Sequence, residues 1–97
     1  MKYAVEIDPG AEVDLLEAMR WYEDRADGLG AEFLRQAKIQ EARLQRAPFI
    51  HAIDYADIRR ALFGKFPYSF HFRIEGQCVR VIACVHQSRD PNNWPGA

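Results

Sequence analysis

Apolar and polar positions alternate strictly through the last third of the chain. From Phe66 the even positions are Phe66, Tyr68, Phe70, Phe72 and Ile74, with Ser69, His71 and Arg73 between them. Beyond Gly76 the odd positions Val79, Val81, Ala83 and Val85 are apolar. A period of two predicts strands with one buried face. A tight Glu75-Gly76 loop between them pairs Ile74 with Gln77, Phe72 with Val79, Phe70 with Val81 and Tyr68 with Ala83, so the two apolar faces coincide. Asp57 to Phe63 alternates more weakly and predicts a further strand. A Gly64-Lys65 turn sets Phe63 opposite Phe66 and Arg60 opposite Ser69. Pro67 has no N–H to give a ladder and belongs at an edge or bulge.

The front of the chain has a different rhythm. Lys2 to Ile7 alternates Tyr3, Val5 and Ile7 against Lys2, Ala4 and Glu6, which predicts a strand. Asp8-Pro9 then reads as a helix cap followed by proline at the first helical position. Ala11, Leu15, Ala18, Met19, Tyr22 and Ala26 fall on one helical face. Asp27-Gly28 breaks the pattern, and a second helix runs to about Arg46 with a stripe of Leu29, Phe33, Ala37, Leu44 and Ala47, Gln40 in its middle, before Pro48 ends it. Val13, Leu16, Trp21, Leu34 and Ile39 lie outside both stripes. They either pack between the helices or face a partner. Residues 49–56 read as a loop or half-turn.

The elements predict an α+β fold of one domain over residues 1–97. An N-terminal strand leads into a two-helix antiparallel hairpin, then a three-stranded antiparallel meander, with the helices on one face of a mainly antiparallel sheet. The opposite face then carries Arg60, Ser69, His71, Arg73, Arg80, Ile82 and, at its end, His86. A composition that is 48% hydrophobic agrees with one globular domain and leaves no tract for disorder. No run approaches the ~18 apolar residues of a membrane span, and the first ten residues have no apolar core of signal-peptide length, so a soluble cytoplasmic protein is expected.

Charge changes the picture more than composition does. Residues 1–56 hold 7 Lys/Arg and 11 Asp/Glu, a net of −4, and residues 57–97 hold 6 and 3, a net of +3. A dedicated RNA-binding domain is usually far more basic, so stable autonomous nucleic-acid binding is not expected. Cys78 and Cys84 on one strand stand roughly 20 Å apart, beyond disulfide reach. The histidines and cysteines lack the clustered spacing of a metal site, and neither metal nor cofactor is expected.

Short motifs recur in a telling order. Ala11 with Asp14-Leu15 is followed by Trp21-Tyr22-Glu23, Gly28-Leu29-Gly30 and Phe33-Leu34. Then come Pro48, Ile58-Arg59-Arg60, Phe66-Pro67-Tyr68, His86-Gln87-Ser88-Arg89-Asp90-Pro91 and Trp94. In this order and spacing the chain resembles the RelE/ParE superfamily of bacterial type II toxins, the ParE branch in particular. The resemblance implies a small toxin neutralised by a ParD-like antitoxin. ParE-type toxins poison DNA gyrase, whereas RelE-type relatives cleave mRNA in the ribosomal A site.

Metal-independent RNA cleavage needs a base, an acid and cations for the phosphate. Arg60, Arg73, Arg80 and Arg89 supply cations. The expected register, however, sets His71 opposite Arg80 and leaves His86 six residues on, roughly 20 Å away. No Asp or Glu falls on that face within the strands. The reading is therefore a toxin that inhibits gyrase by protein–protein contact through Arg60, His86, Arg89 and Trp94. Its antitoxin is expected on Leu16, Trp21, Leu34 and Ile39. The alternative is a ribosome-dependent endoribonuclease using His86, Arg89 and Arg80, and a third reading is a folded but nontoxic binding module.

Overall fold

The computed structural model describes residues 2–88, so Arg89 and Trp94 lie outside the described residues. The chain begins with β1 (Ala4–Ile7) and turns at Asp8 into α1 (Pro9–Arg25). Pro9 suits this position because its missing N–H has no helical acceptor there. The expected side-chain cap is not made: the Asp8 backbone carbonyl takes the Glu12 N–H, while its carboxylate turns to Arg80 at 2.9 Å. The second helix, α2 (Leu29–Arg46), gives way to a 3-10 turn at Pro48–Ile50. The segment read as a loop then holds a short strand, β2 (Ile53–Tyr55), before β3 (Ile58–Leu62), β4 (Tyr68–Glu75) and β5 (Cys78–His86).

The five strands form one sheet in the order β1-β5-β4-β3-β2, with β1 parallel to β5 and the other pairs antiparallel. Both helices cover one face, as the pattern predicts. Leu15, Ala18, Phe33, Ala37 and Leu44 bury against Ala61, Phe70, Phe72, Val79 and Val81. Phe33 is the hub, with the rings of Tyr22, Phe63, Phe66 and Tyr68 at 5.2–5.4 Å. Gln40, polar within the apolar stripe, is buried at the helix–sheet seam; its Nε2 donates to the Leu62 carbonyl, while its Oε1 has no partner among the described residues.

Two registers differ from expectation. The β4–β5 loop is Gly76-Gln77, with Glu75 opposite Cys78 and Phe72 opposite Val81. Gly76 takes φ 62°, and a II′ turn asks for a positive φ at its first loop position, so Gly76 must lead the turn rather than close it. In the preceding hairpin Arg60 faces His71 and Leu62 faces Ser69. The loop spans Gly64–Pro67, since Pro67 cannot pair, and Lys65 carries the positive φ.

One carboxylate braces the helical hairpin, and a second ties α2 to the β3–β4 loop. Glu23 accepts the N–H groups of Gly28 and Gly30 at 2.9–3.1 Å, and these bonds hold its pKa below the ordinary value. Glu32 accepts from Arg35, Gln36 and Lys65, and its pKa is pulled from 4.5 to about 2. A depressed carboxylate stabilises the fold fully above its unfolded pKa and progressively less as pH falls through the folded one. The urea midpoint should therefore decline as pH drops below 4.5 toward 2. Glu23→Gln should flatten the upper part of that decline. An unchanged slope in this variant would remove Glu23 from the account.

Candidate functional site

The chemistry-bearing residues are distributed by one irregularity. Between His71 and Phe72 the β4–β5 register shifts, so Phe72 faces Val81 but His71 faces Ala83 and Ile82 is the extra residue. A bulge of this kind reverses which face each later residue occupies. Cys84 therefore joins the core under the helices, and Ala83 and Val85, expected there, lie on the other face with Ser69 and His71. Asp14 accepts the Cys84 N–H at 3.0 Å and ties α1 to the bulged strand.

His86 moves with the bulge. It was expected at the end of the arginine-bearing face, but it pairs with Tyr68 and meets that ring edge-on at 5.1 Å on the helix side. There it lines a cleft of about 610 Å³ with Asp14, Glu17, Trp21 and Tyr22. Its Nδ1 lies 3.1 Å from the Ser88 N–H and 2.8 Å from the Ser88 hydroxyl. A backbone N–H only donates, so Nδ1 accepts and the ring proton sits on Nε2. In this state His86 offers a donor to the cleft and no basic nitrogen.

His71 is fully buried, contrary to its expected place on an open surface opposite Arg80. The Tyr55 hydroxyl, delivered by β2, lies 3.2 Å from its Nδ1. Burial first, then Arg60, lowers its pKa against an opposing pull from Asp54, and the imidazole is neutral at neutral pH. The two histidines stand on different faces of the sheet and share no site.

Three of the four arginines of the sheet, Arg60, Arg73 and Arg80, are engaged by carboxylates; Arg59 is not. Arg60 reaches Asp54 at 3.9 Å and Arg73 reaches Asp57 at 3.5 Å. Arg80 meets Asp8 at 2.9 Å, Glu75 at 3.1 Å and Glu6 at 3.3 Å. Hydrogen bonds to Asp8 and then Glu75 hold the Arg80 guanidinium far above its usual pKa. Arg73 faces Arg80 across the ladder, and the like charges turn to separate acids. Counting acids within the strands of this face missed these partners, because most arrive from β1, the β1–α1 junction, β2 and the β2–β3 turn, and Glu75, expected in a turn, ends β4.

The expected antitoxin positions divide. Leu16 and Trp21 are exposed on α1, as is Val13, while Leu34 and Ile39 are half-buried on α2. Leu15, Leu16 and Leu34 with Glu12 frame a shallow apolar groove of about 240 Å³ between the helices. Trp21 belongs instead to the cleft of His86, with Arg25 stacked 3.9 Å over its ring. Among the described residues no group of three or more His, Cys, Asp or Glu is placed to hold a metal. No described helix is long and apolar enough to cross a membrane. Cys84 is buried beside Asp14, and burial pushes its thiol pKa well up.

No protein-family model matches this sequence, and no curated protein does either. Solved structures do match in fold. One is a chromosomal ParDE toxin–antitoxin system from P. aeruginosa, with a TM-score of 0.74 at 17% identity over 88% of this chain and 96% of that one. Another is the RelBE2 toxin–antitoxin complex from Mycobacterium tuberculosis, with a TM-score of 0.66 at 17% identity over 89% and 99%. The strand, paired helices and mostly antiparallel sheet are those of the RelE/ParE-type fold.

Proposed function

We propose that this chain, with its RelE/ParE-type fold, is the toxin of a type II toxin–antitoxin pair and acts in the cytoplasm by binding a protein target, DNA gyrase, without catalysis of its own. The fold supports a toxin with an antitoxin partner but is common to gyrase poisons and ribosome-dependent nucleases. The observation that favours a binder is the state of the sheet arginines. Arg60, Arg73 and Arg80 each have a carboxylate at 2.9–3.9 Å, so a phosphate would have to displace an anion already in place. His71 lies opposite Arg60 but is fully buried, and His86 stands on the other face of the sheet with its Nδ1 taken by Ser88, so neither is presented to a substrate beside these arginines as a base.

The antitoxin is proposed to be ParD-like and to lay an apolar helix face along the groove at Leu16 and Leu34, with Trp21 and Ile39 flanking it. Target contact is assigned to Arg60, to His86 at the cleft mouth, and to Arg89 and Trp94 beyond the described residues.

Purified protein is tested in gyrase supercoiling and cleavage assays, beside a ribosome-dependent mRNA cleavage assay. Wild type should inhibit gyrase and leave mRNA intact. His86→Ala should weaken inhibition about tenfold, as for ~1.4 kcal/mol of lost binding. A general acid or base typically gives 10²–10⁴-fold in rate with binding little changed. mRNA cleavage by wild type that vanishes in His86→Ala, with ribosome binding intact, would establish the nuclease instead.

A further inference from the structure

The arginines fall into two classes. Arg35, Arg60, Arg73 and Arg80 are ion-paired, whereas among the described residues Arg20, Arg25, Arg43, Arg46 and Arg59 have no carboxylate within 4.0 Å, and of these Arg43, Arg46 and Arg59 stand together. These three surround one corner of the molecule. Arg43 and Arg46 stand exposed in the last turn of α2, and no acidic residue occurs from there to Ile53. The 3-10 turn and β2 then expose Phe49 at 58%, Ile50 at 76% and Ile53 at 55%. Three large apolar side chains this open within five residues are unusual on a monomer and call for a covering partner.

The corner is built rather than loose. The Arg59 guanidinium lies 5.1 Å over the Phe49 ring, and its Nη1 donates to the His51 carbonyl at 2.6 Å. Tyr3 meets the Phe49 ring edge-on at 6.1 Å. Burial, Arg43 and Arg59 together push the His51 imidazole pKa down, which registers a positive local potential. Aromatic and arginine side chains over a fixed backbone, with the one acid of β2, Asp54, turned to Arg60, are the composition of an interface centre.

We propose that this corner, formed by the end of α2, the 3-10 turn and β2, is a second surface that docks the protein target, in addition to the contacts assigned above, and that it takes an apolar projection flanked by carboxylates. The proposal rests on the reading of a protein target given above. Charge complementarity selects an acidic partner, because the exposed cations here have no acid of their own. The chemistry favours protein over nucleic acid. Phe49, the one aromatic ring among the three open side chains, has Arg59 on its face and Tyr3 on its edge, and Ile50 and Ile53 give bases nothing to stack on. The antitoxin groove is separate: Leu34 and Arg46 are twelve residues apart on one helix, roughly 18 Å along its axis.

The test uses Ile50→Asp and the pair Arg43→Glu with Arg46→Glu, all at exposed positions. Each is measured for growth arrest on induction, gyrase inhibition, affinity for the co-encoded antitoxin, and thermal midpoint. Growth arrest and gyrase inhibition should both need at least tenfold more variant, with antitoxin affinity and midpoint unchanged. Variants as toxic as wild type overturn the docking surface whatever the target. Variants that lose antitoxin affinity in parallel also overturn it, since the corner then belongs to the antitoxin. A loss matched by weaker retention of a single-stranded RNA oligonucleotide overturns it in favour of nucleic acid. Wild type that arrests growth without touching gyrase overturns the gyrase reading alone, and the growth-arrest comparison still decides the corner.

Discussion

Phe70→Ala should lower the unfolding free energy by about 3–5 kcal/mol, the range for emptying a buried aromatic site. Phe70 is fully buried at the centre of β4, between Ala61 on β3 and Cys84 on β5. It also meets Phe63 edge-on at 4.9 Å, and such ring pairs add about 0.5–1.5 kcal/mol beyond area. Domains of this kind have only about 5–15 kcal/mol in total, so the variant should be partly unfolded at physiological temperature. Phe70→Leu, which keeps most of the volume, should cost far less. The check is urea unfolding of both variants: the midpoint should fall with the slope nearly unchanged. A loss below about 1 kcal/mol in Phe70→Ala would mean that the site collapses and that Phe33, not Phe70, organises the core.

Gly30→Ala should be the next most damaging change, at about 1–3 kcal/mol. A Cβ there would stand 2.8 Å from the Met19 carbonyl oxygen and 3.0 Å from Glu23. The Met19 oxygen is backbone, so α1 itself must move, and the Glu23 bonds to the hairpin turn go with it. Gly28 makes an instructive contrast. Nothing lies within 4 Å of its notional Cβ, but its φ of +85° disfavours an L side chain. Asparagine tolerates that backbone better than alanine. Gly28→Asn should therefore recover much of what Gly28→Ala loses, while Gly30→Asn should be worse than Gly30→Ala. Thermal midpoints of the four variants decide it. The same order at both positions would leave one mechanism for the two glycines.

Periodicity carried the architecture. The 3.6-residue stripes placed both helices and the two-residue alternation placed β3, β4 and β5, because each presents an apolar face to the helix–sheet core. What escaped has specific causes. From Val81 to Val85 every residue is apolar, so nothing in the pattern marks Ile82 as the bulge that turns Cys84 inward and sends His86 to the helix side. β2 is three residues long and irregularly paired, too short for a period to register, yet it brings Tyr55 to His71. The pairing of the sheet arginines was equally hidden. Asp8, Glu6 and Asp54 are distant in sequence or lie in junctions, and alternation within a strand says nothing about what arrives from outside it. Composition did mark the acidic N-terminal half. It did not reveal that Arg43 and Arg46 sit apart from those acids at the far end of α2.

The parallel pairing of β1 with β5 bears on the order in which the chain is made. Of the described strands β1 is made first, and its neighbours Cys78 to Val81 belong to β5, made last among them. Arg80 must reach back 72 residues to close on Asp8. At about 5–20 residues per second, Tyr3, Val5 and Ile7 wait several seconds for the strand that covers them. β4 waits as well, since β5 lies between it and β1. The central sheet therefore closes only once β5 has been made. A chain terminated before Cys78 holds both helices and no finished sheet.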